Sequence, residues 1–144
     1  MEKVLCVCLG NISRSPMMQV VLQQHLGADF LVESAGVSQE LSGRPASKHS
    51  VACMKERGVD LGGHVSRWIG DVDLDQFQWI VCVGHDEAVK VRAGRGSLSA
   101  SVIVANEDQG GIPDPYEYGL SGYRECLALL DQAMPKVALK IRLS

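Results

Sequence analysis

KVLCVCLGNISRSPMMQVVL, residues 3–22, passes from a run of apolar residues through a short loop into a helix-like stretch. The apolar run is bounded by Lys3 and Gly10 and reads as a buried strand over 3–8. Pro16 has its φ fixed near the helical value and lacks only a donor that a first helical turn does not use, so a helix is expected over 16–26, opening at Pro16. Cys8 therefore ends a strand, and a loop of a few residues joins it to a helix N-terminus.

The same alternation continues along the chain. FLVESA (30–35), WIVCV (79–83) and SVIVA (101–105) read as three more buried strands. Helices are expected over 45–57, from Pro45 to a stop at Gly58, and over 85–93, ahead of Gly94. Strand and helix in turn imply right-handed crossovers and a parallel sheet covered on both faces. The expected architecture is α/β: a single doubly wound, Rossmann-like domain over 1–144, with a four-stranded parallel sheet and helices on both faces. From Ser121 to Leu143 the apolar residues Tyr123, Cys126, Leu127, Leu130, Met134, Val137, Ala138 and Ile141 follow one helical face. Ser121 is the expected cap, and Pro135 is expected to kink or break this last helix. Gly, Pro, Ser and Asn mark 36–45, 94–99 and 106–113 as loops.

Composition excludes several classes of function. The 144 residues, 46% apolar and 22% charged, suit one ordinary globular domain, and no apolar run approaches the length that spans a bilayer. Glu2 and Lys3 precede only a short apolar run, too short for a secretory signal, so the cytoplasm is the expected location. Five cysteines, at 6, 8, 53, 82 and 126, form no CxxC and no disulfide framework, which fits a reducing compartment. A net charge of −3 argues against a nucleic-acid partner. An anionic ligand would need a local site.

The loop after Cys8 offers one. Ligands of open α/β sheets bind beyond the carboxyl ends of strands, and Leu9 to Arg14 can curl so that successive backbone N–H groups form a nest for a tetrahedral oxyanion. Gly10 relieves the turn, and the following helix aims its positive end at the nest. The helix terminus, the N–H groups and Arg14 together are expected to favour the Cys8 thiolate, the nucleophilic form. Arg14 can pair two phosphoryl oxygens with its planar fork, Ser15 can donate to the sulfur, and Asn11 can brace the loop from within. The loop thus looks built to bind a phosphate dianion and attack its phosphorus. Cys6 does not compete for the role, because the sixth residue after it is Ile12.

CLGNISRSP, residues 8–16, resembles the phosphate loop of the low-molecular-weight protein tyrosine phosphatases, whose pattern is Cys, five residues, Arg, then Ser or Thr. SAG at 34–36, HVSR at 64–67 and DPY at 114–116 resemble further family motifs in the family's order, so the likeness covers nearly the whole chain. From the residues alone Asp114 is as well read as a turn former; the resemblance implies that it is the general acid, protonating the leaving oxygen and then activating water. It implies catalytic Cys8, Arg14 and Asp114, substrate contacts from Leu9, Gly10, Asn11, Ile12, Ser13 and Tyr116, and support from Ser15 and His64, the last bonding the loop from behind. Tyr116 would wall the cleft. The implied substrates are tyrosine-phosphorylated proteins or small aryl phosphates, with inorganic phosphate as product and no cofactor or metal. His25, His49 and His85 read as surface or packing residues, Trp68 and Trp79 as core, and Asp71, Asp73 and Asp75 as a solvated acidic face.

Two departures from the family pattern matter. Many members carry a second loop cysteine where Ser13 stands, so oxidation of Cys8 by peroxide is expected to be poorly reversed by thiols unless Cys6 or another cysteine approaches. An aromatic residue often follows SAG where this chain has VSQELSG, and a second Tyr often follows DPY where Glu117 stands. Glu40 or Glu117 in the walls would weaken the grip on a phosphotyrosine ring and on acidic peptides, with Leu9 and Leu41 left as apolar wall. Two other functions compete: arsenate reduction, which needs a thiol relay that Cys82 lacks a partner for, and a module that binds phosphoproteins without turnover.

Overall fold

In the computed structural model, which describes residues 1–144, the four apolar runs are strands of one parallel sheet: β1 (Glu2–Cys8), β2 (Phe30–Gly36), β3 (Trp79–Cys82) and β4 (Ser101–Val104), in the order β2-β1-β3-β4. The connecting helices are α1 (Arg14–Leu26), α2 (Lys48–Lys55) and α3 (His85–Arg92), and α4 (Gly119–Arg142) closes the chain. Side chains alternate across β1. Val4, Cys6 and Cys8 pack with α1, α2 and α4 in a core of 27 buried residues, while Leu5 and Val7 face a smaller core of 11 that includes Ala88 and Val91 of α3. Cys8 thus lies on the more heavily covered face.

The strand order explains where a ligand can enter. The chain leaves β1 towards β2 on one side and returns to β3 on the other, so the connections after β1 and β3 diverge and leave a crevice at the carboxyl end of β1. Cys8 is the last residue of that strand, paired with Gly36 of β2.

Several local expectations are corrected. The first helix begins at Arg14, with Pro16 at its third position; that position is still in the first turn, where no intrahelical acceptor awaits an N–H. Arg14 and Ser15 therefore sit on the helix. The second helix does not open at Pro45, which instead makes an antiparallel bridge with Val65; it starts at Lys48, because the Ser47 hydroxyl accepts from the Ser50 N–H at 3.2 Å and caps it. Ser121 caps nothing, since α4 already runs from Gly119. Pro135 does not break α4. It lies on the exposed face, where water can serve the carbonyl of Asp131 that the proline leaves without a donor. All eight apolar residues read onto that helix are buried, and their packing holds the helix through the proline.

Candidate active site

From Cys8 to Ser13 the backbone is held by its carbonyls. The Cys8 and Leu9 carbonyls accept from Val37 N–H (3.1 Å) and Ser38 N–H (2.9 Å). The Asn11 carbonyl accepts from His64 Nε2 at 2.7 Å, that of Ile12 from Ser47 N–H at 2.9 Å, and that of Ser13 from the Ser50 hydroxyl at 3.1 Å. A carbonyl only accepts, so His64 carries its proton on Nε2. With five carbonyls tied to segments outside the loop, the peptide N–H groups turn inward, as an anion nest requires. Asn11 has φ +57°, the left-handed region that asparagine tolerates better than most residues. Gly36 leaves room for the fold of the loop: a Cβ there would stand 2.7–2.8 Å from the backbone of Leu9, Gly10 and Asn11.

The sulfur of Cys8 lies 3.2 Å from the Asn11 N–H that points at it and 3.1 Å from Ser15 Oγ. Asn11 Nδ2 donates to Ser15 Oγ at 2.7 Å and to Ser34 Oγ at 2.9 Å; the Ser15 hydroxyl can accept from a Cys8 thiol as well, and has its own proton to donate to the sulfur when that is a thiolate. Ser34 passes its own proton to Gln19 Oε1 at 2.6 Å, and Asn11 Oδ1 accepts from Arg67 N–H at 3.0 Å. The asparagine side chain is fully buried, and both its N–H donors and its carbonyl oxygen are bonded inside the fold. Asn11 was expected among the substrate contacts; its side chain instead faces away from the cleft and can meet a ligand only through its backbone.

Arg14 is fixed by the carbonyl of Ile112, to which Nη1 donates at 2.9 Å, while Nη2 stands 3.7 Å from Asp114 Oδ2. Asp114 Oδ1 accepts from the Tyr116 N–H at 3.1 Å, so the carboxylate is oriented by its own turn and by the arginine. Cys8, Leu9, Gly10, Ile12, Ser13, Arg14, Asp114 and Tyr116 surround one cleft of about 390 Å³. Ser15 and His64 lie behind the loop that forms its floor. The Ser13 hydroxyl is 2.9 Å from the buried hydroxyl of Tyr123, whose ring stacks obliquely on His49.

Leu41, Arg44 and Ser47 complete the cleft. Leu41 was expected as an apolar wall; Arg44 and Ser47 were not anticipated, since nothing in a loop rich in Gly, Ser and Pro says which residue turns inward. The expectation that Glu40 stands in the wall is corrected. Glu40 is exposed and outside the cleft, and only its carbonyl takes part, accepting from Arg44 Nη2 at 3.3 Å. Leu41 occupies the wall because its carbonyl is drawn inward by the buried Ser66 hydroxyl at 2.6 Å. Glu117 is likewise exposed and does not line the cleft. Gly36, Ser34 and Ser66, all essential to the loop geometry, sit in the SAG and HVSR motifs, and that is the signal that could have found them.

The other four thiols are buried and free. Burial pushes Cys6 and Cys53 up, and pushes Cys82 and Cys126 up to about 12, with Glu87 adding to the effect at Cys82. No three His, Cys, Asp or Glu side chains converge as metal ligands, and Asp73 spends its carboxylate on the Asp75 N–H.

Comparison with known proteins places this geometry among relatives. Residues 3–143 match the family described as low molecular weight phosphotyrosine protein phosphatase. The chain is 30% identical over 142 residues to a probable low molecular weight protein-tyrosine-phosphatase, EpsP, of Ralstonia solanacearum, covering 98% of this chain and 97% of that one. It is 36% identical over 119 residues to the human low molecular weight phosphotyrosine protein phosphatase, with 79% and 73% covered. Among solved structures, Vibrio vulnificus Wzb in complex with benzylphosphonate superposes with a TM-score of 0.85 at 28% identity, over 96% of this chain and 98% of that one.

Proposed function

Because the chain belongs to the low-molecular-weight phosphotyrosine protein phosphatases, we propose that it hydrolyses phosphotyrosine through a phosphocysteine on Cys8, with Arg14 and Asp114 as the other catalytic residues. The observation that carries the reading is the sulfur at the centre of the inward-turned loop, met by the Asn11 N–H and the Ser15 hydroxyl. A phosphate dianion in the nest would take N–H groups of the loop and the Arg14 guanidinium on its oxygens, placing phosphorus in line with Cys8. Cys8 thiolate attacks phosphorus as the bond to the phenolic oxygen breaks, and Asp114 gives its proton to that oxygen. The Asp114 carboxylate then takes a proton from water, which attacks the phosphocysteine. Inorganic phosphate leaves, the sulfur returns to its starting state, and the nest stabilises the charge of both transition states without a metal or organic cofactor.

Leu9, Leu41 and Tyr116 give the cleft of about 390 Å³ an apolar lining against which an aromatic ring can pack. The benzylphosphonate held by the Vibrio relative is a ligand of that shape. Tyrosine-phosphorylated proteins and small aryl phosphates are the proposed substrates, in a cytoplasmic compartment that keeps the five cysteines reduced. An arsenate-reducing relay finds no support, since Cys82 has no thiol partner in the loop that follows it and burial pushes all four thiols besides Cys8 up.

The test is a rapid-mix assay with an aryl phosphate. A burst of phenol product equal to the enzyme is expected, with Cys8→Ser losing at least about 10³-fold in turnover while still binding vanadate. Turnover by the Cys8→Ser variant close to that of the parent would remove the cysteine from the mechanism.

A further inference from the structure

Arg44 stands at the mouth of the cleft as a cation without an anion. No carboxylate lies within ion-pairing distance of it, whereas Arg14, Arg57, Arg67 and Arg124 each have one. Its only side-chain bond is the long contact of Nη2 to the Glu40 carbonyl, so most of its five N–H donors are free. Its backbone, by contrast, is fixed. Arg44 N–H donates to the Ser66 hydroxyl at 2.9 Å, its carbonyl accepts from Ser66 N–H at 2.8 Å, and Gly43 N–H donates to the Ser66 carbonyl at 2.8 Å. Pro45 is bridged to Val65 next to it. One buried serine, Ser66, therefore sets both Leu41, which would flank a substrate ring, and Arg44, which lies just beyond that wall.

We propose that Arg44 forms a second anion subsite, which selects phosphotyrosine peptides carrying an Asp or Glu beside the phosphotyrosine; this rests on the phosphatase reading above. The phosphate itself is already served by Arg14 and the nest on the cleft floor, so a cation at the mouth is placed for a different group of the same substrate. A guanidinium offers a carboxylate two parallel hydrogen bonds, the pairing an acidic flanking residue can make from an extended peptide. The two sides of the cleft differ in charge. Arg44 follows the Leu41 wall, and the exposed Glu117 follows Tyr116 on the other, so an acidic residue is favoured on the Leu41 side. This reverses the sequence expectation that the changed walls disfavour acidic peptides.

The experiment compares kcat/KM for two phosphotyrosine peptides, one with Asp residues flanking the phosphotyrosine and one with Lys, each divided by the value for a small aryl phosphate that has no second charge. The parent protein is expected to prefer the acidic peptide about three- to tenfold, Arg44→Gln to lose the preference, and Arg44→Glu to invert it. Raising the salt concentration should shrink both the preference of the parent and its inversion in Arg44→Glu, and leave Arg44→Gln unchanged. An unchanged peptide ratio in both variants, or no acidic preference in the parent, overturns the proposal. Failure of the parent to hydrolyse the aryl phosphate would strike the phosphatase reading instead.

Discussion

On the cleft floor Asn11 and Ser15 are completely buried and Arg14 is nearly so, whereas on the rim Tyr116 is 77% exposed and Asp114 close to half exposed. Five outside donors fix the carbonyls of the floor, and the side chains below it form a closed hydrogen-bond network through Asn11, Ser15, Ser34 and Gln19. On the rim, Asp114 has one backbone bond and one ion pair, and Arg44 one weak contact. The difference teaches that the two tasks need different physics. An anion nest works only if its dipoles are already aligned before the ligand arrives, because reorganising them would consume the stabilisation they provide. The proton donor and the selectivity contact proposed for the rim must instead meet substrates of varied shape.

The largest expected effect tests the floor. Arg14→Lys keeps the charge but loses the fork that reaches phosphoryl oxygens while anchored on the Ile112 carbonyl, and kcat should fall by about 10²–10³ with little change in stability. A loss below tenfold would mean that charge alone is what the floor supplies. On the rim, Asp114→Asn is expected to cost about 10² in kcat for a phenyl phosphate and much less for a nitrophenyl phosphate, whose oxygen leaves without a proton. Equal losses across leaving groups would take Asp114 out of the acid role.

The next prediction asks whether floor and fold are one network. Asn11→Ala strips partners from Ser15, Ser34 and the Arg67 N–H and puts alanine in a left-handed backbone position. Denaturant unfolding should show a loss of about 2–3 kcal/mol, accompanied by roughly tenfold slower turnover. Slower turnover at full stability would show that the network serves chemistry without holding the loop.

The smallest effect lies at the outer end of that network. Burial acts to raise Glu33, but hydrogen bonds from Arg67 and Lys3 outweigh it and hold the carboxyl below its ordinary 4.5. A carboxyl lowered in the folded state stabilises fully above the unfolded value and loses that contribution as pH falls through the folded one. The pair is partly open to solvent, so Glu33→Gln should cost no more than about 1 kcal/mol near pH 7, and the difference from the parent should shrink as the pH drops below 4.5. A difference that is flat from pH 7 to pH 3 would show that the ion pair contributes nothing.

How much of this was legible beforehand differs by region in the same way. The four strands, the parallel sheet and the buried face of α4 follow from short-range patterning, since a strand or helix buries a face at a fixed period wherever it later packs. Helix ends were less legible: Pro16 and Pro45 are permissive for a helix start but do not compel one, and Ser47 with its hydrogen bond to Ser50 decided the second case. Cys8, Arg14 and Ser15 were readable because they are neighbours in the chain on a strand-to-helix turn. Asp114 and Tyr116 needed the family resemblance, and Glu40 was misplaced because loop residues carry no periodicity that says which one faces inward.

By itself the sequence determined the sheet, the order of strand and helix along the chain, and the presence of a thiol and a guanidinium on one anion-shaped turn, all of which are consequences of local backbone chemistry. Only the tertiary structure decided that Ser66 turns Leu41 and Arg44 into the cleft, that Asn11 faces inward to hold Ser15, and that Asp114 reaches Arg14 from a loop far along the chain. Those are contacts between segments distant in sequence, and their geometry exists only once the packing of both cores has fixed where each loop must lie.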